Sequence, residues 1–274
     1  MRLLFLGDIV GRVGREAVLE HVPGLRRDLK LDFVIANGEN AAHGFGITAK
    51  ICEELYEAGV DAITLGNHAF DQREALTYIE RDERLIRPVN FPEGTPGKGA
   101  NLFEAATGGR VLVINVMARV FMDPLDDPFA AIADALDACP LGVGADVIVI
   151  DIHGEATSEK MAMGHFADGR ASLVVGTHSH VPTADAQIFP GGTAYQTDAG
   201  ACADYNSVIG MEKDEPLNRF VRKIPQGRFT PAEGEATLCG VYLETDPKSG
   251  LATRIVPVRL GGRLLPARPE LTDF

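Results

Sequence analysis

The chain has 274 residues, of which 45% are hydrophobic and 24% charged, proportions that are ordinary for a soluble globular protein. Its formal net charge of -13 argues against a protein that wraps nucleic-acid polymers or binds anionic membranes, although bound metal ions would still allow a small phosphorylated substrate. No apolar run reaches transmembrane length, and the four cysteines form no C-x-x-C pair, so we expect reduced thiols in a cytoplasmic protein.

Strand and helix patterns alternate through the first two thirds of the chain. Segments rich in Val, Ile and Leu predict strands at 3–6, 33–36, 62–65, 110–116, 146–150 and 173–175. Helical periodicity predicts helices at 15–29, with an interruption near Pro23, at 48–58, with Thr48 as the N-cap, and at 72–81. The segment 87–99, rich in Pro and Gly, predicts a connecting loop. This alternation indicates an α/β fold with largely parallel central strands.

The C-terminal third has a different pattern. Segments 237–244 and 252–259 predict two strands of an antiparallel hairpin around the turn at 246–250. Two sheets sandwiched between helices would accommodate this order of elements. Periodicity by itself leaves a single mixed sheet equally open.

Metal-competent side chains follow five of the predicted strands. His178 and His180 come directly after strand 173–175, and in an extended backbone both rings would point the same way. Because active sites of α/β sheets lie at the carboxyl ends of strands, we expect the polar side chains of all five strand ends to converge. The other four strand ends carry Asp8, Glu39 with Asn40, Asn67 with His68, and His153.

Each of these residues also has an ordinary structural explanation, such as a helix cap, a buried hydrogen-bonded His or a turn. Their coincidence at five strand ends favours a metal site. Carboxylate, amide and imidazole ligands without a thiolate suit Fe, Mn, Zn or Ni rather than a structural Cys-zinc site. The donors are too many for one tetrahedral ion and suit two. A carboxylate such as Glu39 can bridge two ions that activate a water and clamp phosphoryl oxygens.

The motifs resemble, in order, those of the calcineurin-like metallophosphoesterases, and most closely those of the YmdB-like bacterial phosphodiesterases. The resemblance covers nearly the whole chain. It is carried by Gly7-Asp8, Gly38-Glu39-Asn40, Gly66-Asn67-His68, His153, Gly176-Thr177-His178-Ser179-His180 and Thr197-Asp198-Ala199-Gly200. It implies a single domain over residues 1–274 with a four-layer αββα sandwich, in which two mixed sheets are flanked by helices as in metallo-dependent phosphatases.

The resemblance also implies a metal centre. The first of two divalent or trivalent ions would be held by Asp8, Glu39, Asn40 and His180. The second would be held by Glu39, Asn67, His153 and His178, with Glu39 as the bridge. The broad superfamily usually has Asp-x-His where this chain has Asp8-Ile9-Val10, so one expected imidazole is missing. It also usually has Asp at the position of Glu39. Fewer nitrogen donors at the first ion favour iron or manganese over zinc.

The mechanism implied by the resemblance is hydrolysis of a phosphoester. A hydroxide bridging the metals would attack phosphorus, and His68 would protonate the leaving oxygen, a task that suits imidazole because it titrates near neutral pH. The implied substrates are 2′,3′- or 3′,5′-cyclic nucleotides, with simple phosphomonoesters or diesters as further candidates. The implied assembly is a homo-oligomer.

Two other functions stay open: a regulatory protein that binds metal and nucleotide with incidental turnover, and another metallohydrolase such as an amidohydrolase. His43, His165 and Arg119 could contact substrate or stabilise structure. The glycines of segment 7–14 lack the spacing of a dinucleotide-binding motif. The low aromatic content (Trp 0, Tyr 5, Phe 13) offers no evident base-stacking surface and predicts weak base selectivity.

Overall fold

The computed structural model of the protein describes residues 1–270. In it, the short apolar runs form strands and the amphipathic segments between them form helices. The strands are β1 (Arg2–Leu6), β2 (Asp8–Ile9), β3 (Phe33–Asn37), β4 (Ala62–Thr64), β5 (Leu85–Ile86), β6 (Ala100–Glu104), β7 (Arg110–Met117), β8 (Val147–His153), β9 (Leu173–Thr177), β10 (Gln187–Ile188), β11 (Ala194–Gln196), β12 (Ala201–Asp204), β13 (Ala236–Thr245) and β14 (Ala252–Leu260). The helices are α1 (Gly11–Asp28), α2 (Ala49–Glu57), α3 (Ala75–Tyr78), α4 (Pro128–Ala138), α5 (Thr157–Phe166) and α6 (Asp214–Arg222).

The strands form two mixed sheets. The first has the order β2-β12-β13-β1-β3-β4-β5, with β14 also paired to β13. In it β1, β3, β4 and β5 are parallel, whereas β13 is antiparallel to β1 and to β14, which confirms the predicted C-terminal hairpin. The second sheet has the order β10-β11-β9-β8-β7-β6, in which the four central strands are parallel. The predicted parallel centre is therefore present in both sheets.

Side chains alternate between the two faces of each sheet and so build three apolar layers. In β1, Phe5 lies between the two sheets, whereas its neighbour Leu4 faces α1 and α2. In β8, Val149 lies between the sheets, whereas Ile150 faces α4 and α5. Strands buried on both faces explain the continuous apolar runs in the sequence. The predicted four-layer αββα sandwich is thus confirmed.

Two predicted helices differ from the structure. Helix α1 is continuous across Pro23, so the predicted interruption is wrong. A Pro inside a helix costs about 3 kcal/mol of stability. Burial of Val18, Val22 and Leu25 against the first sheet offsets this cost, because each buried side chain contributes roughly 1.5–3 kcal/mol. The predicted helix at 72–81 shrinks to the four residues of α3, of which only Ala75 is buried, so little apolar packing stabilises a longer helix.

Polar side chains connect the carboxyl ends of the two sheets. Asn37, at the end of β3, and Thr64, at the end of β4, both donate hydrogen bonds to Asp151 of β8 (3.0 and 2.6 Å). The carboxyl ends of parallel strands from both sheets therefore meet at one edge of the sandwich. Within residues 1–270, no helix combines the length and the apolar composition needed to cross a bilayer.

Candidate metal centre

The seven predicted ligands all lie at this shared edge. Asp8 begins β2, Glu39 and Asn40 are in the turn after β3, and Asn67 follows β4. From the second sheet, His153 is the last residue of β8, and His178 and His180 follow β9. Most are inaccessible to solvent: Asp8, Glu39, Asn40, His153 and His180 are all buried. Polar groups this deep require partners, because burial of an unpaired polar group costs several kcal/mol.

One group of ligands surrounds the imidazole of His153. Its Nε2 lies 2.9 Å from Asn67 Oδ1, 3.1 Å from Glu39 Oε1 and 3.1 Å from His178 Nδ1. One ligand atom from each of Glu39, His153 and His178 lies within 4.8 Å of the others. The structure thus brings together the four residues predicted for the second ion.

A second group surrounds the imidazole of His180. Its Nε2 lies 3.2 Å from Asn40 Oδ1 and 3.7 Å from Asp8 Oδ1. Burial raises the pKa of Asp8, an effect that the nearby imidazoles of His180 and His153 oppose. Glu39 contacts the first group directly and adjoins this one through its neighbour Asn40. Three of the four residues predicted for the first ion therefore cluster, with Glu39 between the two groups.

A relay of hydrogen bonds sets the tautomer of His153. The Thr177 hydroxyl donates its proton to the carboxylate of Asp151 (2.6 Å). Its Oγ1 must therefore be the acceptor in the hydrogen bond with His153 Nδ1 (2.9 Å). Burial raises the pKa of Asp151 to about 6, which still leaves it ionised at neutral pH. The proton of neutral His153 therefore sits on Nδ1, and the lone pair of Nε2 faces the ligand cluster.

The other two imidazoles are oriented in the same manner. His180 Nδ1 lies 2.7 Å from the carbonyl oxygen of Ile209, so Nε2 faces Asp8 and Asn40. His178 Nε2 lies 3.3 Å from the carboxylate of Glu155, so Nδ1 faces His153. Each ring thus directs one nitrogen inward, and in a His that binds metal it is this nitrogen that gives its lone pair to the ion.

This donor set fits a cation. Burial opposes charge on Glu39 and His153, yet their mutual attraction lowers the pKa of Glu39 and raises that of His153. Burial and the charge of His153 lower the pKa of His178 to about 3, so its inward nitrogen carries a lone pair. A cation would add positive charge beside the two buried carboxylates of Asp8 and Glu39. A Cβ on Gly66 would overlap both Glu39 and His153, so only glycine leaves the cluster its space.

The backbone of the loop after β9 is unusual. His178 and His180 have φ values of +91° and +62°, in the left-handed region that non-glycine residues rarely adopt. The backbone is therefore not extended at these two residues: β9 ends at Thr177, and the two rings join different groups. Residues that hold this loop, Lys160 and Asp198, were not identified as such from the sequence.

His68 lies beside the ligands without joining them. Its Nδ1 is 2.8 Å from Asp71 Oδ2, and its ring packs edge-to-face against Phe45 with centroids 5.0 Å apart. Its backbone N–H donates to Glu39 Oε2 (2.9 Å). Together with Glu39, His178 and His180, the imidazole lines a cavity of about 390 Å³. Asn67 faces His153, whereas His68 faces this cavity.

Aromatic and aliphatic side chains form the remaining wall of this cavity. Phe45, Phe220 and Phe229 line it, together with Ile209 and Met211. The low aromatic content offered no evident base-stacking surface, whereas three phenylalanine rings line this cavity. Positions 45, 220 and 229 come together only through the fold, so composition could not reveal them.

The three residues whose roles the sequence left open lie elsewhere. His165 stacks on Phe189 with ring centroids 4.2 Å apart, and Arg119 pairs with Asp127 at 3.0 Å, which are structural contacts. His43 lines a second cavity next to the first.

Comparisons with known proteins identify the family that this chain resembles. The family profile described as YmdB-like protein matches residues 4–258. A 2′,3′-cyclic-nucleotide 2′-phosphodiesterase of Bacillus subtilis (strain 168) is 49% identical over 259 residues, which are 93% of this chain and 95% of that relative. Among solved structures, a hypothetical protein from Thermus thermophilus has 45% identity and a TM-score of 0.89, covering 96% of this chain and all of that one. A Mycoplasma pneumoniae phosphatase has 31% identity and a TM-score of 0.88, with 95% and 93% of the two chains covered.

Proposed function

We propose, since this chain belongs to the YmdB-like protein family, that it is a metal-dependent phosphodiesterase that hydrolyses nucleoside 2′,3′-cyclic phosphates. The reaction named for the Bacillus subtilis relative supports this substrate class. The residues of the site support hydrolysis, because they offer metal donors and a proton donor but no activated Ser or Cys. Activity on 3′,5′-cyclic nucleotides and on simple phosphoesters is a further part of the proposal.

The cofactor in this proposal is a pair of metal ions, with iron or manganese preferred to zinc because oxygen donors dominate one group. One ion would be held by Asp8, Glu39, Asn40 and His180, and the other by Glu39, Asn67, His153 and His178. When bound, such a pair acidifies water and neutralises charge on phosphoryl oxygens. The inward nitrogens of three imidazoles, beside two buried carboxylates, support this assignment.

His68 is the proposed proton donor. Because Nδ1 is engaged with the Asp71 carboxylate, Nε2 is the ring atom available to substrate in the cavity. The contact with Asp71 also fixes the orientation of the ring. The proton would pass from Nε2 to the ribose oxygen that leaves phosphorus.

The observation that carries the proposal is that His68 and four of the predicted ligands line one cavity with an apolar wall; the four are Glu39, Asn40, His178 and His180. The polar end suits a phosphate, and the three phenylalanines suit the faces of a nucleoside, since aromatic side chains stack on bases. An amide or a simple inorganic anion would leave this wall unused.

The test is a metal analysis of the purified protein followed by a substrate panel. The panel contains 2′,3′-cyclic AMP, 3′,5′-cyclic AMP, bis-p-nitrophenyl phosphate, p-nitrophenyl phosphate and an anilide. We expect about two ions per chain and the fastest turnover with the 2′,3′-cyclic ester. Tight binding without any product would favour the regulatory function, and cleavage of the anilide alone would favour an amidohydrolase.

Three features stay predictions. They are a single domain over residues 1–274, a homo-oligomer and a cytoplasmic location. Size-exclusion chromatography with light scattering measures the oligomeric state directly. Limited proteolysis tests the single domain, because a stable fragment would contradict it.

A further inference from the structure

A second cavity, of about 640 Å³, adjoins the one that contains His68. Phe45 and Phe229 line both cavities, so these two rings form the boundary between them. The remaining wall of the second cavity is basic, since it contains Arg12, Arg219 and Arg228. Three arginines around one concavity are notable in a chain with a net charge of -13, and their partners decide which of them can bind an anion.

Two of these arginines form ion pairs with nearby carboxylates. Arg12 pairs with Glu16 (2.9 Å) and lies 3.8 Å from Glu233, the one carboxylate that lines this cavity. Arg219 pairs with Glu215 at 2.6 Å. Arg228 forms no ion pair with any residue between positions 1 and 270, so its guanidinium is available to an external anion.

The side chain of Arg219 is held at the boundary of the two cavities. Its guanidinium lies over the ring of Phe229, 4.1 Å from the ring centre. Its Nη2 also donates to the carbonyl oxygen of Gly227 (2.7 Å), the residue before Arg228. These contacts hold Arg219 against the segment that carries Arg228. The planar fork of the unpaired Arg228 guanidinium matches two oxygens of a phosphate.

We propose that this arginine cavity binds a second phosphate on the 5′ side of the nucleotide whose cyclic phosphate lies at the metal centre. This inference rests on the proposed function. In a nucleoside 2′,3′-cyclic phosphate the reacting phosphate and the 5′ oxygen lie at opposite ends of the ribose. With the nucleoside against Phe45 and Phe229, the cyclic phosphate is at the ligand cluster and the 5′ oxygen is directed toward Arg228.

The substrate class is therefore a nucleotide with two phosphates, of which only the cyclic one reacts. Two sources share this chemistry. One is a 5′-phosphorylated mononucleotide, and the other is the 3′ end of a short RNA, where the second phosphate is the adjoining phosphodiester. The second phosphate contributes binding and orientation and undergoes no bond change.

The test compares kcat/KM for adenosine 2′,3′-cyclic phosphate with that for its 5′-phosphorylated form and for a dinucleotide ending in the same cyclic phosphate. We expect the 5′ phosphate to raise kcat/KM about tenfold or more, as one charge-assisted hydrogen bond does. In Arg228→Gln this ratio should fall toward one. Arg222→Gln is the matched control, because Arg222 is exposed on α6 and outside both cavities, and it should retain the wild-type ratio. The dinucleotide shows which of the two sources fits better.

A measurement of equilibrium binding separates this inference from the proposed function. The Kd of adenosine 3′,5′-bisphosphate is compared with that of adenosine 3′-monophosphate in wild type and in Arg228→Gln. A preference for the bisphosphate that Arg228→Gln abolishes supports the arginine subsite, even if no cyclic ester is hydrolysed and the proposed function fails. Equal kcat/KM and equal Kd with and without the 5′ phosphate overturn it, as does a preference that Arg228→Gln leaves intact.

Discussion

The ammonium group of Lys160 and the carboxylate of Asp198 form an ion pair (Nζ–Oδ2 2.9 Å) in which both side chains are fully buried. Lys160 also donates to the carbonyl oxygen of Thr177 (2.6 Å), and Asp198 accepts both the N–H and the hydroxyl of Ser179 (3.1 and 2.6 Å). Thr177 and Ser179 flank His178, so the pair holds the loop on both sides of a predicted ligand.

Replacement of Lys160 by Met should destabilise the protein and disturb the loop. The change leaves Asp198 charged and buried without its partner, which costs about 3–5 kcal/mol. Urea unfolding measures this loss, and metal analysis of the folded fraction should show fewer bound ions. The matched control is Lys98→Met, because the pair of Lys98 with Glu83 (2.7 Å) is exposed and screened by solvent, so its loss should change stability little. Equal losses in the two variants would contradict the role of Lys160.

Replacement of His68 by Asn should lower turnover about 10²–10⁴-fold, the usual contribution of a general acid. The side chain of His68 faces the cavity and not the ligand cluster, so the variant should keep the wild-type metal content. Steady-state kinetics with a cyclic nucleotide and elemental analysis of the same preparation measure both quantities. Wild-type turnover in a metal-replete variant would exclude His68 as the proton donor.

Replacement of His178 or of His180 by Ala should each remove one ion. His178 contacts His153, whereas His180 contacts Asp8 and Asn40, so the two rings belong to different groups of donors. Elemental analysis should give about one ion per chain in each single variant, half the number expected for a two-metal site. An unchanged stoichiometry in either variant would mean that its imidazole is not a ligand.

Gly66→Ala should abolish turnover and lower the metal content without adding or removing a ligand. The new methyl group would overlap Glu39 and the ring of His153, so one of them must move. Gly24→Ala in α1 is the control, since a Cβ there would come no closer than 3.9 Å to Arg27 Nη2. The control should bind metal normally. Normal metal binding by both variants would show that the cluster has more room than the distances indicate.

The stability contribution of Asp146 should depend on pH. Hydrogen bonds from the side chain and the backbone N–H of Arg110 lower the pKa of Asp146 below 3.8 in the folded protein. Because the folded-state pKa is lowered, the stabilisation is present above pH 3.8 and is lost as the pH falls through the folded-state value. Wild type should therefore have a higher Tm than Asp146→Asn at about pH 7, and the difference should shrink below about pH 4. A difference that stays constant as the solution is acidified through this range would contradict the linkage.

The positions of Asp8, Glu39, Asn67 and His153 could be predicted because they depend on local sequence. Each follows or ends a short apolar run, and parallel strands bring their carboxyl ends to one edge. The division of His178 and His180 between two groups came from the family resemblance, and its structural cause is a left-handed backbone that periodicity does not reveal.

Contacts between elements distant in the chain could not be predicted. Lys160 is an ordinary charged residue of α5 until that helix packs on the second sheet and meets Asp198. Phe229 lies outside every helix and strand, and only the fold brings it to Phe45. Pro23 illustrates the opposite error, since a local rule predicted a break that packing of α1 prevents.

The two sheets contribute different ligands, and this division has a consequence for the order of events during biosynthesis. The backbone N–H of His178 reaches the carboxylate of Asp8 across 170 positions of the chain. A nascent chain that has completed only the first parallel strands holds oxygen donors but none of the three imidazoles. With the proposed ligands, ion capture would follow the docking of the sheets, because a site assembled from such distant segments does not exist in an unfolded chain. Metal loading would then be a late step of maturation and not the nucleus from which this chain folds.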